Sequence, residues 1–339
     1  MKVVFSGEQL RHRPRQILGS GALEENLEVP ERAECLLTAA IESGLEHEQP
    51  EDYGLAPIAA VHSPEYLHFL QHIHQRWLCV PGVSTDVIPN VHPHARDVVY
   101  PDSIDGLVGY HVFDGSSPIA ADTWNSARWS AYSAVHAAHV VSAGASSCYA
   151  LARPPGHHAG RDLAGGYCYL NNSAIAAEVL LTRHERVAIL DVDVHHGNGT
   201  QSVFYNRDDV LTVSIHGDPV HFYPYFWGSA NECGAGRGQG YNYNLPLPLG
   251  TGDRQYLVVL EQALLKIESF APGALVIALG LDAFAGDPHR GFAITTTGFG
   301  RIAERIATLR LPTVLVQEGG YLCDSLGDNL SAFLQGIDD

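Results

Sequence analysis

The sequence predicts an α/β protein, a single domain built on a mainly parallel sheet with helices packed on both faces. Three observations carry this. From Thr123 onward, short apolar runs alternate with longer helical patterns, the order expected of strand-helix-strand units. The run Ala188-Ile189-Leu190 is continuously apolar, as in a strand covered on both sides. Polar clusters follow the apolar runs one after another, and an open parallel sheet places its ligand crevice there, beyond the carboxyl ends of the strands. With 339 residues and 45% hydrophobic content the chain can bury a core of that size.

Taken in order, Val3 to Phe5 reads as a short strand before a loop bearing Arg and Gly. Pro30-Glu31 opens a helix that runs to about Ser43 and stops at Gly44; proline and an acidic residue suit a first helical turn. A second helix runs from Pro64 to Trp77 and sets His68 and His72 one turn apart. No third ligand shares their register, so they read as a structural pair. Residues 78–122 break into Pro, Gly, His and Asp, too long for an ordinary connection. They read as a long loop insertion within one domain spanning 1–339, made acidic by Asp97, Asp102, Asp105 and Asp114, either a solvated surface loop or a wall that holds a substrate's ammonium group. Helices are then predicted over 123–142, 171–182, 254–269 and 297–309. Strands are predicted over 147–151, 187–192, 210–215, 274–279 and 313–317.

Lys plus Arg number 20 against 38 Asp plus Glu, a net charge of −18. That balance disfavours nucleic acid and anionic membranes and attracts a small cationic partner. The six cysteines (Cys35, Cys79, Cys148, Cys168, Cys233, Cys323) form no Cys-x-x-Cys pair, which argues against a thiolate zinc site and a disulfide scaffold. No apolar run is long enough to span a bilayer, and Met1 to Ser6 turns polar too soon for a signal peptide. A cytoplasmic protein is expected.

The chemistry concentrates in Asp191-Val192-Asp193-Val194-His195-His196-Gly197-Asn198-Gly199. On an extended strand the alternate residues Asp191, Asp193 and His195 would leave one face and converge. Buried carboxylates need a counter-charge, and a bound cation is the simplest one. A solvated strand end competes with this for Asp-x-His alone. Three further clusters tip the balance: Arg153-Pro154-Pro155-Gly156-His157-His158, Asp282 within Leu279 to Phe284, and Glu318-Gly319-Gly320-Tyr321. Asp193, His195 and Asp282 would make a two-carboxylate, one-imidazole site with an open position, the layout of catalytic zinc. Fe(II), Co(II) or Mn(II) suit the same ligands. Gly280 stands two residues before Asp282 where a second ion would want a carboxylate, so one ion is expected.

Arg-Pro-Pro-Gly-His-His, Gly165-Gly166-Tyr167-Cys168-Tyr169-Leu170-Asn171-Asn172, Leu-Asp-Val-Asp-Val-His-His-Gly-Asn-Gly and Glu-Gly-Gly-Tyr occur in this order. Together they resemble the histone deacetylase superfamily, over about Pro57 to Leu330. The acidic loop, the chain length and Val29-Pro30-Glu31-Arg32-Ala33-Glu34 resemble most the bacterial acetylpolyamine amidohydrolases.

The resemblance implies the arginase/deacetylase fold, one Zn2+ per subunit on Asp193, His195 and Asp282, and roles for the matched residues. His158 would be the general base and His157 its electrostatic partner, oriented by Asp191; Tyr321 would donate to the developing oxyanion. Asn198 stands where many histone-type members carry Asp, so His158 would be held by a neutral group, with a pKa less elevated than an acidic partner would give. The resemblance also implies potassium at two sites. One would use Asp191, Asp193, His195, Ser214 and Ile215; the other would lie near Phe204, Arg207, Val210 and Tyr243. Tyr167 and Tyr223 would flank the substrate's alkyl chain, with Gly166 letting the backbone approach, and Asp102, Asp105 or Asp114 would meet its ammonium. The implied reaction is deacetylation of acetylputrescine or acetylcadaverine to acetate and free amine by a homodimer. Competing readings are a histone deacetylase-like acyl-lysine or small-amide deacylase and a non-catalytic metal-binding or amine-sensing protein. An arginase-like ureohydrolase lacks its second-metal carboxylates.

Overall fold

The computed structural model describes residues 1–95 and 97–338. Among the described residues ten strands are present: β1 (Lys2–Val4), β2 (Gln16–Gly19), β3 (Ala22–Glu25), β4 (Glu46–Glu48), β5 (Ser147–Ala150), β6 (Val187–Asp191), β7 (Val210–Gly217), β8 (Asn242–Leu247), β9 (Ala274–Leu279) and β10 (Thr313–Gln317). Eight form one sheet in the order β4-β1-β5-β10-β9-β6-β7-β8, and every pairing within it is parallel. The other two, β2 and β3, make a separate antiparallel hairpin.

The helices are α1 (Pro30–Glu42), α2 (Ala56–Ala59), α3 (Pro64–Trp77), α4 (Ile104–His111), α5 (Thr123–Ser142), α6 (Asn172–Leu180), α7 (Asn198–Phe204), α8 (Asp253–Phe270), α9 (Thr296–Ala307) and α10 (Leu326–Asp338). Residues of α3, α5 and α6 share a core with Val187, Ile189, Val276 and Val314 of the sheet. Residues of α1, α8, α9 and α10 share another with Ala188, Leu190, Ile277 and Leu315. Alternate residues of each central strand therefore enter opposite cores, which is why those strands are apolar without a break.

The predicted strands 274–279 and 313–317 and the helices at 64–77 and 123–142 are present with those bounds. Region 78–122 is less irregular than its composition suggests. It contains α4, capped by Ser103 through Gly106 N–H, and a bridge between Val87 and Ile119. Two glycines inside α4 lower its helix propensity. The hairpin, β8, α7 and α10 are further elements that periodicity alone did not reveal. β8 is an edge strand of mixed burial, and α10 carries two glycines in a helix docked through Leu330, Phe333 and Leu334.

Candidate metal and catalytic site

Strand β6 ends at Asp191 rather than extending through His195. Beyond it, Asp191 Oδ1 accepts from the Asp193 N–H at 3.1 Å and Asp193 Oδ1 from the His195 N–H at 2.8 Å. These carboxylate-to-backbone bonds turn the chain, a habit of Asp two residues before an amide. The three side chains therefore do not act from one strand face. Asp191 turns to His157, whose Nδ1 is 2.9 Å from its Oδ2; Asp193 and His195 turn to Asp282.

Asp193, His195 and Asp282 are buried, with one ligand atom from each within 4.8 Å of the others. His195 Nδ1 lies 3.1 Å from Asp193 Oδ1 and 3.1 Å from Asp282 Oδ2. The remaining oxygens are tied down: Asp193 Oδ2 accepts from Gly319 N–H at 2.8 Å and Asp282 Oδ1 from Val194 N–H at 3.1 Å. Three electron-pair donors carrying two formal negative charges thus converge in an enclosed space, and a divalent cation fits that donor set. Glycine is required around it. A Cβ on Gly280 would stand 2.2 Å from Asp193 Oδ2, and one on Gly319 2.2 Å from Asp282 Oδ2.

The base candidate follows strand β5. His158 Nδ1 is 2.7 Å from Asn198 Oδ1, and Asn198 is the first residue of α7. His158 is 4% exposed; burial, then the neighbouring charges at His157 and His195, push its pKa well below the ordinary value, and the Asn198 bond offsets this only in part. At His157 burial also disfavours the proton, but Asp191 and Asp193 outweigh it and raise the pKa to about 10. The pair is thus one neutral and one protonated imidazole, 4.0 Å apart between ring centres. Glu318 anchors this segment, accepting from Gly156 N–H at 2.6 Å and His157 N–H at 3.0 Å.

Tyr321 follows strand β10. Arg32 lies against its ring at 4.7 Å, donates to Gly320 O at 2.5 Å and Glu318 O at 2.8 Å, and so fixes the turn that presents the phenol. Asp287 accepts from the Tyr321 N–H at 2.9 Å. Arg32 is itself held by buried Glu28, which also pairs with Arg153 at 2.8 Å.

Gly165 and Cys168 exchange backbone bonds at 3.2 and 2.9 Å across Gly166 and Tyr167, whose φ values are +55° and +67°. Positive φ at both central residues is the type I′ turn. It thrusts Tyr167 towards Tyr321, 5.8 Å away between ring centres. A Cβ on Gly166 would stand 2.3 Å from His158 Cδ2 and 2.8 Å from Tyr223 Oη. Tyr223 stacks with Phe113 and donates to Asp114 Oδ2 at 2.6 Å.

His158, Asp193, His195, Tyr321, Tyr167 and Tyr223 line one cavity of about 610 Å³. The acidic residues expected to meet an ammonium are placed differently. Asp102 and Asp105 are exposed on and just before α4, outside that lining. Asp114 lines it, but its oxygens accept from Gly166 N–H, Ser116 N–H and Tyr223 Oη, so it braces the cavity wall. The acids that sequence reasoning missed there are Glu24 and Glu25 of the hairpin, which no periodic signal marked.

Of the residues named for potassium, Asp191 and Ser214 are register partners on β6 and β7, and Ser214 Oγ is 2.8 Å from His216 Nδ1. Arg207 lies over Phe204 and pairs with Asp209 and Glu178. Val210 begins β7, and Tyr243 lies on β8 opposite Val213.

Comparison with known proteins agrees with this geometry. Residues 26–337 match the model of the histone deacetylase domain. The chain is 47% identical to an acetylpolyamine amidohydrolase of Burkholderia pseudomallei over 341 residues, covering 99% of this chain and 98% of that one. It is 38% identical to that of Mycoplana ramosa, covering 99% of each. A crystal structure of the acetylpolyamine aminohydrolase from Burkholderia pseudomallei superposes with a TM-score of 0.96, covering 99% of this chain and 98% of that one. The HDA15 HD domain superposes at 0.81 with 26% identity, covering 99% and 88%. A parallel sheet with a buried two-carboxylate, one-imidazole cluster, a paired-histidine turn and a facing phenol, together with matches over nearly the whole length, establish that this chain belongs to the histone deacetylase family.

Proposed function

We propose that this protein is a zinc-dependent amidohydrolase that removes acetyl groups from acetylpolyamines such as acetylputrescine and acetylcadaverine. The observation that carries the reading is the convergence of Asp193, His195, His158 and Tyr321 on one cavity, with Asp282 clustered behind Asp193 and His195. The full-length similarity to acetylpolyamine amidohydrolases supports the substrate class.

Asp193, His195 and Asp282 would hold the ion. When bound, it supplies a Lewis acid that polarises the amide carbonyl and acidifies water. His158, neutral and held by Asn198, takes the proton of the attacking water through Nε2 and later delivers it to the leaving amine nitrogen. His157, kept protonated by Asp191, contributes a fixed positive charge beside it. The Tyr321 hydroxyl, presented by the Arg32-braced turn, donates to the oxygen that becomes negative. Tyr167 and Tyr223 flank the methylene chain and keep water from it.

Potassium ions on the Asp191-to-Ser214 segment and near Arg207, a homodimer and a cytoplasmic location belong to the same proposal. The six free cysteines suit a reducing compartment, and no helix among the described residues is long and apolar enough to cross a membrane. The test is a comparison of kcat/KM for acetylcadaverine and an acetyl-lysine peptide with the zinc-loaded enzyme. A marked preference for the diamine is expected; a preference for the peptide overturns the substrate assignment.

A further inference from the structure

We propose that Glu24, on the second strand of the β2–β3 hairpin, receives the free ammonium group of the acetylated diamine and so discriminates cationic from neutral amides. This rests on the acetylpolyamine reading and names the residue that recognises the substrate's far end.

The hairpin register pairs Ile17 with Glu24 and Gln16 with Glu25. Residues directly opposite on an antiparallel pair share a face, and their neighbours along each strand take the other. Ile17 is 7% exposed and packs with Tyr167 and Tyr321. Glu24 therefore emerges on the face turned to the two phenols, beside the apolar contact that docks the hairpin there. Gly19 gives it room: a Cβ on that residue would lie 2.8 Å from Glu24 Oε2. The carboxylate thus folds back over its own hairpin.

Glu24 lines the cavity whose floor carries His158, Asp193 and His195. Among the described residues it has no ion-pair partner; Arg32, which also lies near Tyr167, is paired with Glu28. A second group points the same way. Tyr167 is 8% exposed, lines this cavity, and makes no hydrogen bond through its hydroxyl to any described residue. Ionisation of that hydroxyl is opposed first by burial and then by the charges of Glu28, Asp114 and Glu24, so the field of Glu24 reaches it. An uncommitted carboxylate and an uncommitted phenolic oxygen are both acceptors, and an alkylammonium brings only donors. Phe226 and Trp227, exposed on another part of the rim, add aromatic faces that favour a cation.

The test uses full-length, zinc-loaded enzyme with acetylputrescine, acetylcadaverine and the neutral isostere N-pentylacetamide. Wild-type enzyme should prefer the charged substrates. In Glu24→Gln the charged-to-neutral ratio of kcat/KM should fall about fivefold, through KM, as loss of one partly solvated ion pair predicts. Glu24→Asp should retain most of the preference, and N-pentylacetamide turnover and zinc content should stay at wild-type values. An unchanged ratio in Glu24→Gln, or equal losses on charged and neutral substrates, overturns the role of Glu24 alone. A wild-type enzyme with no preference for the charged substrates overturns the acetylpolyamine reading and this inference together.

Discussion

Replacing Asn198 with aspartate tests whether His158 works as a neutral base held by a neutral partner. The side chains meet at 2.7 Å, with Asn198 8% and His158 4% exposed. A new carboxylate there faces the imidazole at short range with little water between. Two unit charges about 4 Å apart interact by about 4 kcal/mol at an effective dielectric of 20, an upper figure that corresponds to about 3 pKa units. Opposite charges at this range ordinarily shift a pKa by about 1 to 3 units. The direction is upward, because the carboxylate stabilises the imidazolium against the burial that now holds His158 well below its ordinary value. A base acts only when deprotonated, so the acidic limb of the rate profile should move to higher pH by about 1 to 3 units. The assay is kcat/KM for acetylcadaverine across the pH range, with metal content measured in parallel so that lost zinc is not read as lost base. An acidic limb that stays in place, or moves to lower pH, refutes the assignment of His158 as the titrating base.

Four other outcomes are expected. Tyr321→Phe should lower kcat about 10² to 10³-fold with unchanged zinc content, the usual cost of one oxyanion donor; full activity in that variant removes the phenol from the mechanism. Gly166→Ala should lower both kcat and thermal stability, since its φ of +55° and the 2.3 Å approach to His158 Cδ2 leave no place for a methyl. The left-handed backbone alone costs about 1 to 2 kcal/mol, and a melting temperature equal to wild type contradicts the turn geometry. Stability should fall as pH drops from 6.5, where unfolded histidine begins to bind a proton, towards 3. His12, buried first and beside Arg153 second, has its folded pKa lowered to about 3, so its contribution is complete above 6.5 and lost across that window. Burial opposes ionisation of Glu28, yet Arg153 and Arg32 outweigh it and hold its pKa below the ordinary value, so its contribution is lost as pH falls through that lowered pKa. Glu28→Gln should destabilise by about 3 to 5 kcal/mol, because two buried guanidinium groups lose their counter-charge; a smaller loss in denaturant titration means the pair is better solvated than its burial indicates.

Strands 274–279 and 313–317 were legible because both faces of a central parallel strand are covered, and this leaves an uninterrupted apolar run. The residues of the site were legible for a related reason, since each cluster directly follows such a run. Their partners beyond the strand ends were not. Asp191, Asp193 and His195 look like one strand face by spacing, yet carboxylate-to-amide bonds end the strand at Asp191 and split the set between His157 and Asp282. The hairpin was illegible because Gln16–Gly19 and Ala22–Glu25 alternate weakly and only Ile17 is buried. At Asp102 and Asp105 acidic composition located a loop but not which way it faces; both are exposed and outside the cavity lining of this chain.

In the sheet order, β5, β10, β9 and β6 are consecutive, and each contributes one part of the site from its carboxyl end. In the chain those parts lie as far apart as His157 and Tyr321. No contiguous fragment shorter than that span can hold them all, so catalysis is a property of the assembled sheet and not of any local motif. Activity should therefore return during refolding only with the last strand to dock, later than most of the helical signal.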